Sequence, residues 1–339
     1  MNPKKLQAKK RHHYVWRQYL NQWSGGTSRI YFSTSLGKIA HDSPKGVAVA
    51  DYFYKVRPLN ELQMAAILKL SQSCSEDNQA LHMEFLQAII QLQRFEDLYR
   101  CSGFRSKKVD EMLHAHLCNF IEDYHGDVER AMSPILKKLL AEDLSALDDR
   151  AQLVPFFEYF GHQIARTKNF RSVFSHIAGI SELSQKAYMQ VMDETSWLVT
   201  LLLGMNMGFN LFIARDKYHY AMLVNETSTP FITSDQPVVN IIQRAEGDIL
   251  NPPEQSDFYY PISPRLAIVV CETSRFKPGR QTIDRVAAHE LNCAIAEKAH
   301  VHLVGADRSH IAPYVNLPGR WYKRWSDAHN LSNNMASVS

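Results

Sequence analysis

The apolar residues change their spacing along the chain, and each change marks a change of element. Leu62, Ala65, Ala66 and Leu68, then Phe85, Ile89, Leu92 and Phe95, recur at intervals of three and four, which predicts a helical block from 59 to about 208. Breaks at Cys101-Ser102-Gly103, His125-Gly126 and Asp148-Asp149 divide it into about six helices, with Pro134 and Pro155 expected near helix starts. Before the block, Arg29–Thr34, Gly37–His41 and Val47–Tyr54 are β-branched and aromatic and read as a small meander. After it, strands are expected at 211–214, 218–224, 231–233, 238–242 and 266–271, then a helix from about Gln281 to Ala299 and a strand at 301–304.

The expected fold class is α+β, with the central helical block inserted between N-terminal and C-terminal strands that form one sheet. Residues 1–24 read as a basic arm, anchored where Val15, Tyr19 and Trp23 recur at helical spacing and ended by Gly25-Gly26. Residues 25–325 read as a single domain, and 326–339 as a mobile tail. The uncharged stretch Ser196–Ala214 approaches the length of a membrane span, but Gly204, Asn206, Gly208 and Asn210 interrupt it. It is therefore expected to be a buried helix running into a core strand, with no membrane partner.

Composition narrows the picture. With 45% hydrophobic and 22% charged residues, the chain carries enough apolar material for a large core, which argues against disorder. A net charge of +3 does not mark a nucleic-acid binder, yet Lys4, Lys5, Lys9, Lys10, Arg11 and Arg17 all precede the first acidic residue, so a polyanionic partner fits the N-terminus. The five cysteines are scattered and never spaced C-x-x-C, which favours reduced thiols over a zinc ribbon or disulfide framework. No apolar signal run follows the basic start, so a cytoplasmic location is expected.

Three polar blocks hold the candidate chemistry. Arg11-His12-His13-Tyr14-Val15-Trp16-Arg17 places two imidazoles among guanidiniums, suited to proton transfer on an anionic substrate; the structural alternative is a solvated arm with one histidine bonded to a buried carbonyl. In extended backbone His12 and His13 point to opposite faces, so one of them is expected in a shared site. Gln163 and Arg166, three apart on a helix beginning near Leu153, share a face and suit phosphate or carboxylate binding, with His162 turned away; the alternative is an ion pair between layers. Thr233-Ser234-Asp235-Gln236-Pro237 ends a strand, where Asp235 orients a histidine or binds a metal or, alternatively, caps backbone amides.

Ser234 lacks the glycine-flanked elbow of a hydrolase nucleophile. No metal-ligand motif and no phosphate-cradling glycine loop occurs, so neither metal nor cofactor is expected. Arg320-Trp321-Tyr322-Lys323-Arg324-Trp325 interleaves cations with aromatics, either to stack on bases or to plug the core.

On these residues the chain resembles the bacterial family known as domain of unknown function 4238. The blocks His12-His13-Tyr14-Val15 with Tyr19-Leu20, Gln163–Thr167 and Thr233–Val238 occur in order, with weaker matches at Pro261-Ile262-Ser263-Pro264 and Asn292. The likeness spans most of 11–305; many members carry proline where this chain has Trp16. It implies no activity, but it implies one pocket holding His12 or His13, Gln163, Arg166, Asp235 and Asn292.

The leading expectation is a metal-independent nuclease or phosphodiesterase, of the kind found among bacterial toxins and antiviral effectors. His12 or His13 would act as acid or base, Arg166 would stabilise phosphate and Asp235 would orient the imidazole. Tyr14, Arg17, Gln163, Thr167, Thr233, Ser234 and Asn292 would hold the substrate. The alternatives are a non-catalytic protein binding a nucleotide or nucleic acid, and a structural subunit of a complex.

Overall fold

The computed structural model describes residues 7–174, 185–243 and 253–336; Lys4 and Lys5 of the basic run lie outside them. The chain opens with strand β1 (Arg11–His13), a short helix α1 (Arg17–Leu20) and the hairpin β2 (Ile30–Ser33) and β3 (Ile39–Asp42), followed by β4 (Val49–Asp51). The expected meander is not formed: β4 leaves the hairpin and pairs antiparallel with β1, His12 opposite Ala50. The ladder continues past β1, where the Tyr14 N–H donates to the Ala48 carbonyl at 3.0 Å and leads the chain into the core at Tyr14, Val15, Tyr19, Leu20 and Trp23, all within 1% of full burial. The described part of the basic segment is thus a structural wall rather than an arm. The Lys9 N–H donates to Asn119 Oδ1 at 2.8 Å, and the Asn119 amide donates back to the Gln7 carbonyl at 2.9 Å.

The helical block holds α2 (Glu61–Gln72), α3 (Glu76–Cys101), α4 (Lys107–Leu140), α5 (Arg150–Ala165), α6 (Lys168–Phe174) and α7 (Gln185–Ile213). Local chemistry sets the starts: Asn60 and Gln63 form a reciprocal capping box, and the side chains of Ser75 and Asp149 cap α3 and α5. Two punctuation expectations fail. α4 runs unbroken through His125-Gly126 and contains Pro134, and Pro155 lies inside α5. Glycine and proline cost a helix about 1 and 3 kcal/mol. The buried stripe of Ile121, Val128, Met132, Ile135, Leu136 and Leu139 outweighs that, at roughly 1.5–3 kcal/mol per side chain.

α7 also continues through 211–213, where a strand was expected. Its segment Gln190–Ile213 is long and apolar enough to cross a membrane, yet 67% of its most apolar window is buried inside the molecule. It packs tightly on α5. A Cβ on Gly161 would come 2.4 Å from the Gly204 carbonyl oxygen and the Gly208 nitrogen, so the glycines that interrupt the apolar run are what allow the two backbones to touch.

The rest of the chain forms β5 (His219–Asn225), β6 (Thr233–Ser234), β7 (Val239–Asn240), β8 (Asp257–Pro261), β9 (Leu266–Cys271), β10 (Gly279–Ile283), α8 (Arg285–Lys298), β11 (Leu303–Gly305), α9 (Arg308–Ile311) and α10 (Arg320–Ala336). β8 and β10 have no counterpart in the expected elements, and β10 takes the first residues assigned to the last helix, which Asp284 caps. The segment read as a tail from 326 is helical through Ala336. Trp321 and Trp325 stack and are buried, so the cation-aromatic run includes a core plug.

The fold is α+β, with the helical block between N-terminal and C-terminal strands. Those strands do meet, in a four-stranded sheet ordered β3-β2-β11-β6. They do not make one sheet, because β10-β5-β9-β8-β7 form a second and β1-β4 a third. The five-stranded sheet is covered on both sides. Met222, Val224, Ile268 and Val270 face the helical core, while Leu223, Val269 and Cys271 face Leu291 and Ile295 of α8. This is why β9 is buried at every position.

Candidate active site

The two histidines of the first block part company. His12 is fully buried; its Nδ1 accepts the Tyr54 N–H at 2.8 Å, so Nε2 carries the proton and donates to the Lys9 carbonyl at 2.9 Å. Burial lowers its pKa, and both nitrogens are committed to backbone. His13 turns the other way, as alternation along β1 requires. It lines a cavity of about 270 Å³ whose walls include Lys9, His13, Trp16 and Arg17 from the N-terminal segment and Glu122, His125, Gly126 and Glu129 from α4.

The α4 residues were not foreseen. Glu122, His125 and Glu129 are spaced three and four apart and so lie on one face. Reading His125-Gly126 as a helix break hid that period, which was the signal available. Gly126 keeps space open in the wall, since a Cβ there would meet nothing within 4 Å.

Burial controls the electrostatics. Glu122 is pushed up to about 8, first by burial and next by Glu129, against the pull of Arg166 and Lys9. Glu129 is raised too, by burial, with Arg166 opposing. His13 is lowered to about 4 by burial and by Arg17, only partly offset by a backbone hydrogen bond to Lys45. His125 is pushed well down by burial and Arg166. Three of these lining side chains carry buried polar atoms without a hydrogen-bond partner: His13 Nε2, Glu122 Oε2 and His125 Nδ1. Buried polar groups are normally satisfied, and these three belong to side chains that line one cavity.

Arg166 stands behind this wall. It is 3% exposed, and its Nη2 donates to Glu129 Oε1 at 2.8 Å and to Gln163 Oε1 at 2.9 Å. Burial alone would lower its pKa, but Glu129, with Tyr54 and Tyr159, raises it on balance. Gln163 and Arg166 therefore do share a face, and Gln163 Nε2 donates to the Tyr14 carbonyl at 3.2 Å. Arg166 is not among the cavity-lining residues; it positions Glu129 instead of meeting a ligand.

The third block does not join them. The Asp235 carboxylate accepts the backbone N–H groups of His300, Val301 and His302 at 2.8–2.9 Å and orients no imidazole. Thr233 is bonded to the Tyr19 hydroxyl at 2.6 Å, and Ser234 donates to the Gln236 carbonyl at 2.9 Å. Thr167 donates to Gln236 Oε1, while Asn292 accepts from Ile232 N–H at 3.0 Å and donates to the Pro230 carbonyl at 2.9 Å. These polar residues stitch α5 and α8 to the strand ends. Tyr14 is buried, and its ring lies under the Lys168 ammonium, 5.2 Å from the centroid. The structure thus brings together His13 and Arg17 with Glu122, His125 and Glu129, and leaves His12, Asp235, Thr233, Ser234 and Asn292 in structural places.

The model of a described family, "Protein of unknown function (DUF4238)", matches this chain from residue 11 to residue 309. This chain belongs to the DUF4238 family. The matched span takes in β1, the α4 carboxylates, Arg166 and Asp235, so the candidate site of this member lies inside the family region except for Lys9. Neither the curated proteins nor the solved structures hold a match to the chain. Among the described residues, no three His, Cys, Asp or Glu side chains are grouped to hold a metal ion.

Proposed function

We propose that this DUF4238 protein is a hydrolase of phosphodiester bonds that needs no metal ion, with Glu122 as proton donor and His13 as base. The observation that carries the reading is the cavity itself, where Glu122, held proton-bearing near neutral pH, meets an unprotonated imidazole and the cation Arg17. In the step, His13 Nε2 takes a proton from water as its oxygen bonds phosphorus. The P–O bond to the leaving oxygen breaks, and that oxygen takes the Glu122 proton. Arg17 offsets the phosphate charge, Lys9 being paired with Asp123 at 2.6 Å, and the Arg166–Glu129 pair keeps a second carboxylate from repelling it.

The volume suits a single nucleotide unit or strand end rather than a duplex. Incubation with labelled single-stranded RNA and DNA, with and without chelator, tests this. Cleavage that survives chelation and falls roughly 100-fold or more in Glu122→Gln is the expected result. No cleavage of either polymer by the wild-type chain, or full activity in Glu122→Gln, overturns it.

A further inference from the structure

A second cavity, of about 280 Å³, opens beside α6, lined among others by Phe53, Lys168, Arg171, Asp193, His300 and Tyr322. Lys168 and Arg171 are three apart and share a face. Their positive groups rest on aromatic rings: Lys168 on Tyr14, and Arg171 4.8 Å from the Phe53 centroid, with one N–H reaching the Phe53 carbonyl at 3.4 Å. Ring faces attract a cation by about 0.5–2 kcal/mol but supply no counter-charge.

Asp193 is the one carboxylate in the lining, and it makes no ion pair with either cation among the described residues. Burial pushes the Arg171 pKa down; Asp193 opposes that, and Arg57 adds repulsion. His300, lowered by burial despite the attraction of Asp235, stands there as a neutral imidazole with an N–H to give. Two incompletely balanced cations and a neutral donor around open space are the makings of an anion site. A guanidinium fork beside an ammonium suits the tetrahedral oxygens of phosphate.

We propose that Lys168 and Arg171 form an oxyanion site for a phosphoryl group, separate from the Glu122 cavity. The two cavities flank the same segment, since His13 lines one and the next residue, Tyr14, lies under Lys168 at the other. The site does not depend on the hydrolase reading and stands if no phosphodiester is cleaved.

Calorimetric titration of the full chain with inorganic phosphate, in an Arg17→Gln background that weakens the first cavity, reads the site directly. Saturable binding is expected there, weakened at least about tenfold by adding Lys168→Gln and Arg171→Gln. Displacement of phosphate by a mononucleotide or a short oligonucleotide tells whether the phosphoryl group is a terminal one or part of a strand; displacement by neither assigns free phosphate. Phosphate should also shield Lys168 of the unsubstituted protein from an amine-acylating reagent, read by mass spectrometry. Absence of binding in the Arg17→Gln protein, unchanged affinity in the substituted one, or equal acylation with and without phosphate overturns the site.

Discussion

Adjacent histidines in this protein have opposite duties, and the difference is measurable. His12 satisfies a buried N–H of Tyr54 and the Lys9 carbonyl, so His12→Ala strands both and is expected to cost about 1–3 kcal/mol in chemical denaturation. His13→Ala removes one bond, to the Lys45 backbone, and a second nitrogen that bonds nothing, and is expected to cost less stability than His12→Ala while abolishing turnover. Equal stability losses in the two variants would contradict that division. The pH–rate profile follows from the same residues. Activity should rise as His13 loses its proton near 4 and fall as Glu122 loses its own near 8, giving a bell.

Glu122 also links pH to stability. Its folded pKa lies above the ordinary carboxylate value near 4.5, so the folded state holds the proton more tightly than the unfolded chain. Its contribution to stability is complete below about 4.5 and is lost as pH rises through about 8. Glu122→Gln should therefore melt higher than wild type at alkaline pH, with the gap closing toward acid. A constant gap across pH would rule out the raised carboxylate.

At the scale of elements, two glycines in helices predict opposite results. Gly161 of α5 sits where a Cβ would collide with the α7 backbone, so Gly161→Ala is expected to destabilise by about 1–3 kcal/mol. Gly126 of α4 faces open space, so Gly126→Ala should gain up to about 1 kcal/mol in helix propensity while intruding on the cavity and slowing turnover. Thermal melting beside an activity assay separates the two; a Gly126→Ala protein that is both stable and fully active would remove Gly126 from the site. Composition cannot tell these glycines apart, because the distinction lies in what each helix packs against.

The whole molecule is joined where sequence-distant segments meet, and Asp235 is one such joint. Its carboxylate gathers three backbone N–H groups at the turn leading into β11, the strand that brings β2 and β6 into one sheet. Asp235→Ala is expected to cost roughly 3 kcal/mol or more, since charge-assisted bonds to buried amides are lost together. Activity lost only in proportion to the unfolded fraction would fit this joint, whereas a folded but inactive variant would return Asp235 to the chemistry.

Sequence alone determined what short-range physics controls. Periods of three and four marked the helical block, and alternating or continuous β-branched runs marked β2, β3, β5 and β9. The same local reasoning placed His12 and His13 on opposite faces and Gln163 with Arg166 on one. Tertiary structure decided the rest. Whether Gly126 and Pro134 broke a helix depended on how much apolar surface α4 could bury; whether β4 paired with β3 or β1 depended on where the segment leading into the buried Tyr14 settled. The cavity itself needed both decisions, because Glu122, His125 and Glu129 meet His13 and Arg17 only once α4 is continuous and β1 is folded against it.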